Sequence, residues 1–338
     1  MREKKILVTG GAGYIGSHMV KALLEQEYKV VIFDNLFRGY QEVVDVLQKK
    51  FGTKNLSFYQ GDLRNYADIS QVFKKEQIYG VMHFAALCLV SESMEEPEKY
   101  FENNVLGTLN LLRAMAQFSV GKLIFSSTCA VYGESQYLPV DEKHPLNPAN
   151  PYGESKLMAE REIYWFGQLK DLKYVILRYF NVTGASSGGL IGDSKKPSQL
   201  LVQNAVRGAL NIEPFRLTCP RVDTADGTPI RDYLNVEDLA DAHLKALNYL
   251  IKGGKSDIFN LGTGQGNSVL EIVSSVQKMI EVKFPVSRGK ARRGEYAEIY
   301  ANIGKAKKAL KWKPEKTISD SILSLVKWYK NKPDGWSY

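Results

Sequence analysis

The sequence predicts an α/β protein, with a doubly wound parallel sheet in its first half and a smaller C-terminal α/β domain. Three observations support this prediction. Short apolar runs alternate with amphipathic segments, the chain has 338 residues, and 44% of them are hydrophobic while 24% are charged. A chain of this length suggests about two domains or one large α/β unit. The composition is typical of folded globular proteins and argues against a disordered or collagenous chain.

The first half carries the alternation of strands and helices. Its apolar runs are continuous, which is typical of strands buried on both faces of a parallel sheet. We predict strands at 5–8, 29–33, 56–59, 81–84, 123–125 and 175–177, and helices at 14–26, 43–50, 69–75, 97–118 and 152–168. Right-handed crossovers join such units into a doubly wound sheet. In helix 97–118 we expect the buried stripe to consist of Val105, Leu109, Leu112 and Met115.

The regular alternation of predicted strands and helices ends after residue 181. Loops are predicted at 184–197 and 218–229, and helices near 200–209, 236–250, 268–280 and 319–329. The sequence contains no internal repeat and no flexible linker. We therefore expect residues 1–180 and a returning segment at about 234–262 to form one domain. Residues 181–338 form the other, with a cleft between the two.

The excess of basic over acidic residues comes from one stretch of the chain, residues 283–332. The formal net charge is +8, with 45 Lys and Arg against 37 Asp and Glu. Residues 283–332 hold 14 basic and 4 acidic side chains, a local charge of +10, so the remaining residues sum to about −2. This stretch has no RNA-binding signature, and no nucleic-acid partner is expected. A solvated helix face and turn is expected for Lys305, Lys307, Lys308, Lys311 and Lys313.

Cysteine and histidine usage argues against disulfide and metal sites. Cys88, Cys129 and Cys219 are too few and too widely spaced for a disulfide framework or a zinc site, and the four histidines show no metal spacing. No apolar run approaches the roughly 18 residues of a membrane span. The apolar run near the N-terminus is too short for a signal peptide. We expect a cytoplasmic protein with no metal and no membrane partner.

A glycine-rich turn follows the first predicted strand. Gly10, Gly13 and Gly16 occur in TGGAGYIG, directly before a predicted helix. Glycines permit the tight turn and the close approach of backbone to a pyrophosphate, which lies at the helix N-terminus. Asp34 ends the second strand, where a carboxylate accepts bonds from a ribose 2′-hydroxyl and repels a 2′-phosphate. The combination predicts a Rossmann-type domain that binds NAD rather than NADP.

Two further strand ends contribute to the same predicted site. Asp62 follows the third strand, within reach of an adenine amino group, although read alone it is equally well explained as a helix cap. Phe84, Ala85 and Ala86 end the fourth strand, and the small alanines let a cofactor ribose lie close to the backbone.

Tyr152 and Lys156 form the predicted reactive pair. They are four residues apart at the start of a predicted helix, so both side chains share one face. A phenol has a pKa of about 10, and a neighbouring ammonium and a positive nicotinamide both favour the phenolate that can act as a base. Ser126, Ser127 and Thr128 end the fifth strand, at the carboxyl edge of the sheet where ligands bind.

Long ordered motifs carry a resemblance that runs from residue 8 to about residue 312. They include TGGAGYIGSH, FDNL, GDLRN, HFAA, NNVLGTLNLL, FSSTCAVYGE, NPYGESK, LRYFNVTGA, DGTPIRDYLNVEDLADAH and NLGTGQGNSV. The chain resembles the extended short-chain dehydrogenase/reductase superfamily and, within it, the UDP-glucose 4-epimerase family.

The resemblance implies the reaction and its residues. Tyr152 removes the sugar 4-hydroxyl proton, Lys156 bonds the nicotinamide ribose and lowers the pKa of Tyr152, and Thr128 hydrogen-bonds the sugar 4-oxygen. Hydride passes from C4 to tightly held NAD, the 4-keto sugar turns in the cleft, and hydride returns to its other face. The implied activity is the interconversion of UDP-galactose and UDP-glucose, an isomerisation in nucleotide-sugar and galactose metabolism.

The motifs and the resemblance together assign the lining of the cleft. Cofactor-binding residues are Gly10, Gly13, Tyr14, Ile15, Gly16, Asp34, Asn35, Asp62, Leu63, Phe84, Ala85, Ala86, Asn103, Ser126, Tyr152, Lys156 and Tyr179. Substrate-binding residues are Thr128, Tyr152, Asn181, Gln199, Leu200, Arg231, Arg292 and Glu295, with Arg292 or Arg293 on the pyrophosphate. The resemblance also implies a homodimer, formed through helices 97–118 and 152–168.

Related chemistries remain as alternatives. Nucleotide-sugar 4,6-dehydratases carry a motif that resembles T-D-E-V-Y-G, in which the adjacent Asp and Glu transfer protons. Sugar-nucleotide decarboxylases carry a similar pattern with Glu at the second position of that acid pair. Cys129 and Ala130 stand there in this chain, which disfavours both. Ile299 falls near a position that sets room for an N-acetyl group, and its intermediate size leaves a UDP-N-acetylglucosamine 4-epimerase open. A non-enzymatic NAD sensor is disfavoured because Tyr152 and Lys156 are both present.

Some positions depart from the family pattern. Cys88 stands where some members have a lysine near the cofactor, and we expect it to be a small buried residue. Gln199 stands where Asn or His is common, and Thr218 and Cys219 replace a Phe-Gly pair beside the uracil. These departures concern the nucleotide site rather than the reaction type.

Overall fold

The computed structural model describes residues 5–194, 199–291 and 296–336. Its strands are β1 (Lys5–Thr9), β2 (Lys29–Asp34), β3 (Leu56–Gln60), β4 (Ile78–His83), β5 (Lys122–Thr128), β6 (Lys173–Tyr179), β7 (Asn181–Thr183), β8 (Arg216–Leu217), β9 (Ile230–Arg231), β10 (Tyr233–Asn235), β11 (Asp257–Leu261), β12 (Asn267–Ser268), β13 (Ser287–Arg288) and β14 (Glu298–Ile299). In the described part of the chain, seven of them form one sheet in the order β11-β6-β5-β4-β1-β2-β3.

The large sheet is parallel throughout its described strands. β1 lies inside the sheet, with β2 on one side and β4 on the other, and Thr9 is level with both Phe33 and His83. The chain order therefore reverses beside β1, and the carboxyl ends of β1 and β4 open a crevice at this switch point. The predicted doubly wound α/β fold is confirmed.

The helices alternate with these strands as predicted. They are α1 (Tyr14–Glu25), α2 (Gln41–Phe51), α3 (Tyr66–Lys75), α4 (Val90–Ser93), α5 (Pro97–Tyr100), α6 (Gly107–Gln117), α7 (Pro151–Leu169), α8 (Leu201–Ala209), α9 (Val236–Ile251), α10 (Val269–Ile280), α11 (Gly304–Leu310) and α12 (Ile318–Asn331). Asn65 and Asn150 cap α3 and α7 by accepting backbone N–H bonds, and Pro151 occupies the first turn of α7.

Both faces of the sheet are buried. Along β1, Ile6 and Val8 pack into the cluster that includes α1, whereas Leu7 packs into a second cluster with side chains of α3 and α6. Successive strand residues point to opposite faces, so a strand covered on both sides must be apolar at every position. The continuous apolar runs in the sequence have this origin.

The predicted buried stripe is confirmed at Leu112 and Met115 and wrong at Val105 and Leu109, which are half-buried. Leu111 is buried as well. The helix predicted at 97–118 consists of α5, a π-helical turn at Phe101–Leu106, and α6. A π turn closes i→i+5 bonds and adds a residue to the turn, so α-helical spacing counted from residue 105, which lies within it, does not hold across the junction with α6.

The second half of the chain returns to the sheet. β11 pairs with β6, and α9 packs against α1 and β6. This strand was not predicted, because Asp257 and Asn260 interrupt its apolar residues and leave no continuous run. The other short strands form small pairings, β7 with β10 and β9 between β12 and β14, beside the packed helices α8, α10 and α12.

The basic C-terminal stretch has the predicted surface character. Lys307, Lys308, Lys311 and Lys313 are exposed, while Lys305 pairs with Asp257 at 2.5 Å.

Within the described ranges, no helix combines the length and the apolar character that a membrane crossing needs. In the same ranges, no group of three or more His, Cys, Asp and Glu side chains is arranged to hold a metal.

Candidate active site

A cleft of about 400 Å³ lies between the two halves, above the carboxyl ends of β1, β4 and β5. Every predicted cofactor residue lines it, from Gly10 to Tyr179. The predicted substrate residues Asn181, Gln199, Leu200 and Arg231 line it as well. Arg292, Arg293 and Glu295 lie outside the described residues. The structure thus brings the predicted residues of both halves into one cleft.

The glycine turn has the geometry that only glycine allows. Gly10 has a φ of +71°, and a Cβ there would lie 2.6 Å from the backbone nitrogen of Ala85. A Cβ on Gly16 would overlap the carbonyl oxygen of Gly10. The loop is therefore folded tightly onto the end of β4, and the first turn of α1 is left bare toward the cleft for an anionic group.

Asp34 ties this loop to β2. Its carboxylate accepts the backbone N–H groups of Ala12 at 3.0 Å and Leu36 at 2.9 Å, and the side chain is buried. Burial raises the pKa of Asp34, and the two backbone bonds oppose that rise. The carboxylate therefore holds both the glycine turn and the turn after β2 in place.

Asp62 is part of the cleft and does not cap a helix. Asn65, not Asp62, caps α3. The Asp62 carboxylate accepts a hydrogen bond from Asn35 at 3.1 Å and pairs with Arg64 at 2.8 Å. Hydrogen bonding from Arg64 lowers the pKa of Asp62 to about 2 despite partial burial. The sequence left two interpretations of Asp62 open, a cleft residue and a helix cap, and the structure favours the cleft residue.

Asn104 positions the loop after β4 and was not identified from the sequence. It exchanges two hydrogen bonds with the backbone of Leu87, at 2.8 and 3.0 Å, and donates to the Ser155 hydroxyl at 2.9 Å. Asn103, beside it in the π turn, lines the cleft. π turns occur at functional sites more often than elsewhere, but no periodic pattern in the sequence marks one.

Tyr152 is the second residue of α7, above the end of β5. Its ring meets the Tyr100 ring edge-on, with centroids 6.4 Å apart. Burial raises the pKa of Tyr152 well above the usual phenol value, while a hydrogen bond from Thr128 lowers it. The Thr128 hydroxyl at the end of β5 therefore lies next to the Tyr152 phenol.

Lys156 lies on the same face of α7 and is 3% exposed. Its ammonium sits 4.1 Å from the centre of the Phe125 ring. Burial lowers the pKa of Lys156 to about 7, and the nearby Glu160 carboxylate raises it. Burial thus opposes charge on both Tyr152 and Lys156.

A buried polar network supports this pair from behind. Arg178 on β6 donates to both carboxylate oxygens of Glu160 and to the Tyr132 hydroxyl. Ser127 donates to Glu160 at 2.5 Å. The network joins α7, β5 and β6 at the level of the reactive side chains.

The predicted UDP side of the cleft is built from the second half. Arg231 on β9 donates to the backbone carbonyl of Tyr296 at 2.7 Å, and its guanidinium stacks on the Tyr296 ring at 5.1 Å. Asn181 begins β7, level with Tyr233 on β10. The arginine is therefore held in place by its own strand neighbours at the cleft wall.

The three cysteines all line the cleft but differ in exposure. Cys88 is exposed and lines the cleft, so the expectation of a small buried residue is wrong. The reason is the irregular backbone after β4, which turns residue 88 outward. Cys129 is buried beside Thr128, and burial raises the pKa of its thiol to about 12. No carboxylate stands in the 3₁₀ turn Cys129–Val131.

Known proteins share this whole architecture. A UDP-glucose 4-epimerase of Lactobacillus helveticus is 43% identical over 98% of this chain and 99% of its own. UDP-arabinose 4-epimerase 1 of Arabidopsis thaliana is 40% identical over 98% of this chain and 80% of its own. The crystal structure of UDP-glucose 4-epimerase from Bifidobacterium longum in complex with NAD+ and UDP superposes with a TM-score of 0.94 at 36% identity, covering 98% of this chain and 100% of that one.

The sequence profile of the NAD dependent epimerase/dehydratase family matches residues 6–262. That range contains the phosphate loop, Thr128, Tyr152 and Lys156. The resemblance carried by the sequence motifs is confirmed, and the chain belongs to the NAD dependent epimerase/dehydratase family.

Proposed function

We propose that the protein is an NAD-dependent UDP-hexose 4-epimerase that interconverts UDP-galactose and UDP-glucose. The observation that carries this proposal is the meeting of Thr128, Tyr152 and Lys156 in a cleft shared with a dinucleotide-type phosphate loop. The full-length similarity to proteins named UDP-glucose 4-epimerase supports the same substrate class.

The residues present fit NAD. A side chain at Gly10 or Gly16 would fill the space that the loop needs for its turn, and the bare start of α1 suits a pyrophosphate. Asp34 suits an unphosphorylated ribose and disfavours a 2′-phosphate. We assign the NAD site to residues 1–180 with the returning segment 234–262, and the UDP-sugar site mainly to residues 181–338.

Tyr152 moves the proton in this mechanism. Its phenolate accepts the proton of the sugar 4-hydroxyl, and Thr128 keeps the 4-oxygen within reach by hydrogen bonding. Lys156 holds positive charge beside the phenolate. NAD, when bound, supplies a reversible hydride acceptor for C4. Tyr152 then returns the proton to the 4-oxygen after the keto sugar has turned, so the net change is inversion at C4.

The nucleotide part of the substrate is held by the second half of the cleft. Arg231 suits the pyrophosphate because a guanidinium forms charge-assisted, often bidentate bonds with phosphate oxygens. Asn181, Gln199 and Leu200 form the neighbouring wall. We keep Arg292 and Glu295 as predicted substrate contacts.

Two related activities are weighed against this proposal. A 4,6-dehydratase needs an acid and a base at the positions of Cys129 and Ala130, and neither side chain serves. A UDP-N-acetylglucosamine 4-epimerase remains the alternative, because Ile299, buried at the cleft wall, neither fills the space with an aromatic ring nor leaves it open.

Assembly and location are part of the proposal. Exposed apolar side chains occur on the two helical segments expected at a homodimer interface: Leu106, Met158, Trp165 and Leu169. The three on α7 are spaced by seven and four residues and so share one face of that helix. An exposed apolar face is typical of a protein contact, and a second copy of the chain is the proposed occupant. None of the three cysteines forms a disulfide, which is the state expected in the reducing cytoplasm.

Product analysis tests the function. Purified protein with no added NAD is given UDP-galactose, UDP-N-acetylglucosamine or UDP-arabinose in separate reactions, and the nucleotide sugars are resolved by chromatography. We expect UDP-galactose to yield an equilibrium mixture with UDP-glucose. No conversion, or a 4-keto-6-deoxy product, would overturn the proposal, and conversion of the N-acetyl sugar would extend it.

A further inference from the structure

We propose that His243 is a positioning residue for the reaction: from behind the cleft it fixes the Ser126 hydroxyl so that Ser126 presents only an acceptor to the cleft, and it supports the Tyr179 ring by packing. His243 lies on α9 and is 0% exposed. It acts on the cleft only through side chains that line it. The inference rests on the proposed function, because both lining residues belong to the predicted cofactor site.

The hydrogen-bond partners of His243 define its tautomer. Nδ1 lies 2.8 Å from the backbone carbonyl of Leu239, and Nε2 lies 3.0 Å from the Ser126 Oγ. A carbonyl oxygen can only accept, so Nδ1 carries the hydrogen. Burial lowers the pKa of His243 to about 4, so the ring is neutral at neutral pH and its Nε2 is an acceptor.

The tautomer dictates the direction of the next bond. Because Nε2 accepts, the Ser126 hydroxyl donates its hydrogen to His243. The Ser126 oxygen then has no hydrogen left and can only accept from the cleft side. A group that bonds Ser126 from the cleft side must therefore be the donor. A serine without His243 behind it would rotate freely between donating and accepting.

The His243 ring also supports three neighbouring strand ends by packing. It lies 4.8 Å from the Phe84 ring, which follows β4, and 6.3 Å from the Tyr179 ring at the end of β6. Ser126 belongs to β5, between them in the sheet. All three contacted side chains line the cleft, whereas His243 does not. One buried ring thus aligns the cleft floor next to Tyr152, whose pKa is sensitive to Tyr179.

A double-mutant cycle tests this role. His243→Phe keeps an aromatic ring but has no acceptor, and His243→Gln offers an amide oxygen near the position of Nε2. We expect His243→Phe to lower kcat about tenfold, the order expected from one lost hydrogen bond, with little change in KM for UDP-galactose. His243→Gln should recover most of the rate. In a Ser126→Ala background, His243→Phe should cost almost nothing further, because both act through one bond.

The matched control is His18→Phe. His18 is equally buried, lies on α1, and also bonds a backbone carbonyl with Nδ1, but it does not line or contact the strand ends of the cleft. Its effect on kcat should be small and additive with Ser126→Ala. NAD content and the thermal midpoint are measured for every variant to separate loss of cofactor or fold from loss of positioning.

The outcomes separate this inference from the proposed function. If wild-type protein does not convert UDP-galactose, the proposed function fails. If wild type is active but the effects of His243→Phe and Ser126→Ala are additive, or if His243→Gln is as impaired as His243→Phe, the positioning role is overturned while the function stands.

Discussion

Arg178 and Glu160 form a bidentate ion pair behind the reactive side chains, with an Nη2–Oε2 distance of 2.5 Å and an Nε–Oε1 distance of 3.0 Å. Their side chains are 2% and 5% exposed. Glu160 is one helical turn beyond Lys156, so the pair fastens the reactive face of α7 to β6. A charge at such depth is tolerated only because its partner and the Ser127 and Tyr132 hydroxyls satisfy it.

Breaking this pair should destabilise the protein strongly. We expect Arg178→Met to lower the free energy of unfolding by about 3–5 kcal/mol, because it leaves the Glu160 carboxylate buried without its partner. Denaturant unfolding provides the measurement. Lys245→Met, which breaks an exposed pair with Asp241 on α9, is the control and should cost well under about 1 kcal/mol. Equal small losses in both variants would show that the buried pair does not anchor α7.

Removing the phenol should remove the base. We expect Tyr152→Phe to lower kcat by roughly 10²–10⁴, the usual contribution of a positioned acid–base group. The rate with UDP-galactose is compared with that of Tyr164→Phe, an exposed tyrosine on the same helix that should behave as wild type. A near-wild-type rate in Tyr152→Phe would remove this residue from the mechanism.

A methyl group in the phosphate loop should abolish cofactor retention. In Gly16→Ala the new Cβ overlaps the Gly10 carbonyl oxygen, so the loop must open and lose its bound NAD. The measurement is the NAD released from purified, denatured protein. Gly188→Ala is the control, because a Cβ there meets nothing within 4 Å. Full NAD content in Gly16→Ala would contradict the assignment of this loop.

Glu162 should make stability depend on pH. It lies on α7 between the exposed Met158 and Trp165, burial raises its pKa to about 7, and in the described chain its Oε2 has no hydrogen-bond partner. A raised pKa in the folded state favours the protonated form, so its contribution to stability is full below about pH 4.5 and is lost as pH rises through about 7.

Glu162→Gln should therefore gain stability over wild type as the pH rises from 4.5 to 8. The free energy of unfolding is measured across this range, with the exposed Glu98→Gln as the control that should follow wild type. A Glu162→Gln curve parallel to that of wild type would show that this carboxyl titrates normally in the folded protein.

The parts of the fold that follow from local pattern were predictable. Strands buried on both faces leave continuous apolar runs, and the phosphate loop leaves glycines at positions where a Cβ has no room. Tyr152 and Lys156 were placed together because helical spacing alone puts residues four apart on one face.

Other features depend on contacts that no local pattern records. The π turn at Phe101–Leu106 interrupts the α-helical spacing before α6 without any proline or glycine signal at its centre. β11 was missed because polar residues interrupt it. His243 and Asn104 look like ordinary polar helix residues, and only the folded chain shows which strand ends they contact. Arg178 did carry a signal, since a charge inside an apolar strand requires a buried partner.

The fate of deuterium at C4 of the sugar tests the central claim most directly. UDP-galactose labelled with deuterium at C4 is converted in ordinary water, and the product is analysed by NMR and mass spectrometry. The account predicts that UDP-glucose keeps the deuterium at C4, because the same hydride leaves and returns within a closed cleft while Tyr152 carries only the hydroxyl proton. Loss of deuterium to the solvent, or its transfer to C6, would contradict it.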